Sequence, residues 1–135
     1  MKIFIIGHKG WIGQMYIKLF EQYNITYDYS NHRGESDEIL NEILNSNCSH
    51  VLCVMGRTHG ELNNKYYNTI DYLEHNDTLH ENINDNLFVP LKIGLFLKDY
   101  PNIHYTYIGT GCIYNYDNND YDTINRFDDN DKPNF

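Results

Sequence analysis

Gly7-His8-Lys9-Gly10-Trp11-Ile12-Gly13 sets three glycines at even spacing near the start of the chain. Each glycine has its own physical use. Gly7 allows a tight turn, Gly10 lets the backbone come close to a pyrophosphate, and Gly13 lets the first helix pack close to the sheet. At the helix start the N–H groups of Trp11 and Ile12 have no intrahelical partner, so they form an anion site suited to a pyrophosphate. The residues leave a plainer account open, in which the glycines make only a turn and a close helix contact. Far downstream, Thr110 and Cys112 stand two residues apart after an apolar run. In extended backbone they share a face. A hydroxyl there can hold a substrate oxygen, and a thiol can exchange a proton at a carbon beside a ketone if its neighbours favour the thiolate. The alternative for Cys112 is a buried cysteine that serves as a small hydrophobe.

The choice of dinucleotide would rest on the stretch from Asp28 to Arg33. Asp28 lies near the distance at which an acid holds a ribose 2′-hydroxyl. Ser30, His32 and Arg33 follow at once, and Arg33 could grip a 2′-phosphate with its guanidinium fork. The other reading of Arg33 is a solvated loop charge. The balance favours NADP over NAD. Cys48, Cys53 and Cys112 have no metal-ligand spacing and make a poor disulfide framework, and Asp128, Asp129 and Asp131 do not complete a cation loop. No metal is expected.

These residues need a scaffold, and the hydrophobic pattern supplies one. Lys2 to Ile6 reads as a buried strand, and Trp11 to Tyr23 as a helix packed on a sheet through Ile12, Met15, Ile17, Leu19 and Phe20. Ile25 to Tyr29 reads as the second strand. Ile39, Leu40, Ile43 and Leu44 repeat at helical spacing behind Ser36, a candidate cap. Val51 to Met55 is a third, continuously apolar strand, so the order is βαβαβ. That order predicts an α/β fold of Rossmann type, a doubly wound parallel sheet of which this is the N-terminal portion. The expected strand order is 3-2-1, with the strand at Ile103 to Ile108 on the other side of the first. Gly56 to Tyr72 reads as a long loop. Leu79 to Leu97 reads mostly as helix, with Pro90 either kinking it or starting a new one.

Bulk properties narrow the function class. The chain of 135 residues carries a formal charge of -9, which argues against nucleic acid or an anionic membrane as partner. No apolar run approaches the ~20 residues of a membrane span. The expected location is the cytoplasm. The many Asn and Tyr residues read as compositional bias.

Two longer stretches are more specific. Met55-Gly56-Arg57-Thr58-His59-Gly60 leads to Thr69-Ile70-Asp71-Tyr72-Leu73-Glu74 and Glu81-Asn82-Ile83-Asn84-Asp85-Asn86. Gly109-Thr110-Gly111-Cys112-Ile113-Tyr114-Asn115-Tyr116-Asp117 closes with Asp131-Lys132-Pro133-Asn134-Phe135. With the glycine motif, they resemble the extended short-chain dehydrogenase/reductases, and among them the bifunctional nucleotide-sugar 3,5-epimerase/4-reductases. The resemblance covers nearly the whole chain. It implies NADPH as cofactor and, as substrate, a 4-keto-6-deoxy hexose on UDP or dTDP, reduced to the rhamnose sugar nucleotide. By position it implies that Thr110 is the Ser/Thr of the catalytic Ser/Thr-Tyr-Lys set and Cys112 the epimerase acid/base. Arg33 then corresponds to the NADPH-selecting arginine, Gly56 and Arg57 to the loop lining the cofactor, and Asn86 to the family's helix asparagine. Gly111-Cys112 stands where dehydratases carry Asp-Glu, which argues against 4,6-dehydration.

The departure is the missing Tyr-x-x-x-Lys, expected just beyond Phe135; Tyr66, Tyr72 and Tyr114 have no Lys four residues on. Residues 1–135 are therefore expected to form an NAD(P)-binding domain without its substrate domain, binding cofactor without full turnover. Its expected partners are a nucleotide sugar if the chain is completed, and a second copy or a complementing C-terminal piece. The rival is a non-catalytic NAD(P)-binding regulatory or partner protein. A third reading is a flavodoxin-like domain with no dinucleotide.

Overall fold

The computed structural model describes residues 1–109 and 130–132. Strand β1 (Lys2–Ile6) is followed by helix α1 (Trp11–Gln22), β2 (Thr26–Tyr29), α2 (Glu38–Asn45) and β3 (His50–Cys53). A small hairpin of β4 (Gly60–Leu62) and β5 (Lys65–Tyr67) comes next, then two short 3-10 turns, α3 (Leu79–Ile83), α4 (Val89–Leu97) and β6 (His104–Tyr107). β1, β2, β3 and β6 form one parallel sheet.

Alternation along the strands decides what covers each face. Ile3, Ile5 and Leu52 face α1, where Phe20 and Tyr16 pack on them. Phe4, Ile6, Val51 and Cys53 face the other way, under Ile39 and Ile43 of α2 and Val89, Ile93 and Leu97 of α4. Helices on both faces make the sheet doubly wound, as the βαβαβ pattern predicts.

The strand order differs from the expected one. β3 lies beside β1 rather than beyond β2, giving β2-β1-β3-β6. The reason is burial. No residue of β2 (Thr-Tyr-Asp-Tyr) is buried, whereas Val51, Leu52 and Cys53 of β3 are. The polar strand takes the edge, and the apolar one takes a place between two neighbours. The reversal of direction, and with it the ligand crevice, falls between β1 and β3.

Asparagine has structural uses that composition alone did not show. Asn24, Asn47, Asn63 and Asn64 all have positive φ. Asn24 follows α1, where its N–H bonds Glu21 O (3.3 Å) and the N–H of Ile25 bonds Phe20 O (2.8 Å), a Schellman close. Asn63 and Asn64 form the two-residue turn of the β4–β5 hairpin, inside the stretch expected to be loop.

Pro90 starts a new helix rather than kinking a continuous one. It sits in the first turn of α4, and the chain just before it forms a π-helical turn at Asn84–Phe88. In a regular helix the N–H that proline lacks would have bonded Asn86 O. That carbonyl instead accepts the Tyr107 hydroxyl of β6 at 3.3 Å, and Tyr105 donates to Pro90 O at 2.9 Å.

Candidate functional site

The glycine turn closes on itself before it meets any ligand. Gly10 N–H bonds Gly7 O at 3.0 Å, and Gly7 holds φ +89°, a conformation that favours glycine. A Cβ on Gly13 would stand 2.3 Å from Gly7 O, so the close helix contact is real. A Cβ on Gly10 would meet nothing nearer than 3.4 Å, so its bareness is not needed for packing. Beyond that ordinary contact Gly10 borders open space.

That space is a cleft of about 520 Å³ at the carboxyl ends of β1, β2 and β3. Gly7, His8, Lys9 and Gly10 form one wall, residues 30–35 a second, Met55 and Arg57 the floor, and residues from the α3 region the far side. Of the residues singled out from sequence, Gly7, Gly10, Arg33 and Arg57 line it. Trp11, Ile12 and Gly13 begin or continue α1 just behind the turn. Gly56 stands behind Arg57, where a Cβ would lie 3.2 Å from Asn86 Oδ1. Thr110 and Cys112 lie outside the described residues. Cys53 is fully buried, and burial pushes its thiol above the ordinary value, as suits a core residue. Cys48 is buried too.

The second wall is held from below. Ser30 is buried, its hydroxyl bonded to the Glu42 carboxylate of α2, and it accepts His32 N–H at 3.0 Å. Gly34 presses onto Val89 and Met55, where a Cβ would meet Val89 Cγ1 at 2.6 Å. Arg33 projects from this wall, 85% exposed, with Glu35 3.7 Å from its guanidinium. Asp28 does not reach the cleft: its carboxylate pairs with Lys2 at 2.6 Å, and it is absent from the lining.

On the floor, Arg57 is fixed by side chain and backbone together. Its Nε lies 2.7 Å from Asp85 and its Nη1 3.0 Å from Glu81. Burial opposes the charge, but Asp85 and Glu81 more than offset it, so the guanidinium is held above its ordinary value. Asn86 brackets the Arg57 backbone, accepting its N–H at 2.7 Å and donating to its C=O at 3.0 Å. Glu81 also accepts the hydroxyl of buried Tyr72 at 2.7 Å. In the glycine turn, His8 stacks on Tyr29 with ring centroids 4.3 Å apart. Burial first, and then Lys9, lower its basicity.

Sequence reasoning passed over Ser30, His32 and Gly34 as site residues, and the acids Glu81 and Asp85. Ser30 and His32 had a signal, because they stand beside Arg33 at the end of a predicted strand. Glu81 and Asp85 had helical spacing to each other but nothing linking them to Arg57. Among the described residues no cluster of three or more metal-ligating side chains occurs, and no helix is long and apolar enough to cross a membrane.

The chain is 42% identical over 136 residues to protein L780 of Acanthamoeba polyphaga mimivirus, a match covering 100% of this chain and 45% of that protein. The crystal structure of L780, a UDP-rhamnose synthase, superposes with a TM-score of 0.85. This chain resembles a UDP-rhamnose synthase. It spans about half the length of that synthase. A crystal structure of UDP-glucose 4-epimerase matches 84% of this chain and 37% of its own with a TM-score of 0.64, and at 13% identity shows the fold alone. No protein-family model matches. The likeness to the synthase agrees with the resemblance carried by the sequence motifs.

Proposed function

We propose that this chain binds NADPH in preference to NADH and serves as the cofactor-binding part of an enzyme that makes a rhamnose sugar nucleotide. One observation carries the reading: the bare Gly10 faces a cleft at the β1–β3 reversal, with Arg33 exposed at its rim and Asp28 committed elsewhere. The residues present suit the cofactor. Gly10 leaves room for a pyrophosphate beside the start of α1. Arg33 has the reach and an exposed guanidinium for a 2′-phosphate, and Asp28, the acid at the end of β2, is held by Lys2 outside the cleft. Bound there, the nicotinamide would supply hydride. Similarity to the L780 UDP-rhamnose synthase supports a 4-keto-6-deoxy sugar nucleotide as the acceptor. On this reading Thr110 holds the substrate oxygen and Cys112 exchanges protons beside the ketone.

Calorimetric titration of the purified 135 residues tests the proposal. NADPH is expected to bind more tightly than NADH. Arg33→Ala is expected to weaken NADPH about 10- to 100-fold, the value of one or two charge-assisted bonds, and to leave NADH nearly unchanged. Equal loss for both would remove Arg33 from the 2′-phosphate. Given NADPH and a 4-keto-6-deoxy sugar nucleotide, the same sample is expected to give no reduction at enzyme-like rates. It holds no Tyr-x-x-x-Lys to protonate the developing alkoxide, and positioned acids contribute roughly 10²–10⁴-fold. A longer chain that binds NADPH yet stays silent would favour a regulatory or partner role.

A further inference from the structure

His32 is a group that neither the sequence motifs nor the likeness to the synthase singles out. Its imidazole lies in the wall that carries Arg33, and both ring nitrogens face carboxylates of α2. Nδ1 is 2.8 Å from Glu38 and Nε2 is 3.6 Å from Glu42. Glu42 also takes the Ser30 hydroxyl, so one carboxylate ties both ends of the turn at residues 30–32 to the helix. The ring is not sealed in, since the side chain is 41% exposed and His32 lines the cleft. With both nitrogens protonated, each N–H has a carboxylate acceptor. With one proton lost, one carboxylate faces a ring lone pair, and the wall keeps its acids with one cation fewer.

We infer that His32 sets the field at the cofactor's 2′-phosphate by offsetting Glu38 and Glu42 rather than by touching it, and that its protonation makes the preference for NADPH over NADH depend on pH. This rests on the NADPH reading above. Histidine is the side chain whose charge changes between pH 5 and 8. The charged and titratable groups around it are Glu38 and Glu42 on α2, Arg33 and Glu35 on its own loop, His8 and Lys9 on the glycine turn, and, across the cleft, His80 and Arg57 with its partners Glu81 and Asp85. When His32 is charged, it offsets Glu38 and Glu42 beside the place that Arg33 offers to a phosphate. When it is neutral, those carboxylates act on the phosphate without that offset.

The sign separates this device from the phosphate's own titration. A phosphate monoester gains charge as pH rises past about 6. On a wall of constant charge that would raise the NADPH-to-NADH affinity ratio. Loss of a cation from the wall lowers it.

The experiment is titration of the 135-residue chain with NADPH and with NADH from pH 5.5 to 8.5. The wild-type affinity ratio is expected to fall about tenfold, the loss of one nearby cation at protein-like dielectric. In His32→Asn the ratio is expected to start low and not fall. In His32→Arg, with a permanent cation, it should stay high at all pH values. His80→Asn is expected to keep the wild-type fall. Circular dichroism checks that each variant is folded. A flat or rising wild-type ratio with both dinucleotides bound overturns the inference alone, as does a fall that survives in His32→Asn. If neither dinucleotide binds at any pH, the underlying reading falls and takes the inference with it.

Discussion

At the scale of single residues, the glycine turn separates two requirements that sequence runs together. Gly7 and Gly13 are needed by the fold, since a Cβ at either would stand within 2.8 Å of backbone. Gly10 is not needed that way. With φ near -72° and no atom closer than 3.4 Å to a would-be Cβ, it can take a side chain without disturbing the apo chain. Gly10→Val is therefore expected to melt within a few degrees of wild type while losing NADPH and NADH alike, because its methyls fill the pyrophosphate approach. Differential scanning calorimetry and titration check both halves. Retained affinity in a folded variant would mean the ligand does not approach the turn. Gly13→Ala should instead lose stability outright, with overpacking costs of about 1–3 kcal/mol. The three glycines were legible in the sequence as a motif. Which of them serves packing and which serves the ligand was not, because that depends on what stands above each Cα.

At the scale of elements, the two inner strands and α2 show where local pattern sufficed. The continuously apolar β1 and β3 were readable from sequence, as was the helical spacing of Ile39 and Ile43 on α2. The place of β3 was not, because order follows from which strand tolerates an edge, and that is a comparison between segments. The β4–β5 hairpin was missed because its turn is Asn63-Asn64 rather than a glycine pair. The π turn before α4 was legible only as an anomaly at Pro90. Its effect is to place Asn86 against the loop after β3, where the side chain meets Arg57 N–H, Arg57 C=O and Asn82 Oδ1. Asn86→Ala leaves the Arg57 backbone groups without these partners. The expected cost is about 1–3 kcal/mol, read as a lower urea midpoint with unchanged slope. Asn86→Asp keeps an acceptor for Arg57 N–H but loses both donated bonds, so its midpoint should fall between the two. A midpoint equal to wild type in the alanine variant would show the bracket to be energetically idle.

At the scale of the whole molecule, burial of thiol and phenol groups sets the alkaline limit. Cys53 is raised above its ordinary 9.0 by burial, and Tyr105 and Tyr107 above their ordinary 10.0 chiefly by burial. Tyr72 is raised first by its bond to Glu81. In each, the folded state keeps a proton that the unfolded chain gives up. Stability from these groups is thus fully present below about pH 9 and declines as pH rises through the unfolded values. Urea midpoints measured from pH 7 to 11 should fall steadily above 9, and Tyr105→Phe should fall less steeply from a lower start, having lost its bond to Pro90 O. A midpoint flat to pH 11 would contradict this. The cleft has a consequence of its own at this scale. Its walls come from four stretches, residues 6–10, 30–35, 55–57 and 80–85, brought together only when β1 has paired with β3 and both layers of helix have docked. A molecule seated there touches all four at once and is a reversible staple across the chain, holding together segments that no covalent bond joins. Letting go of any one stretch dismantles the seat, so occupancy reports the docking of every layer together.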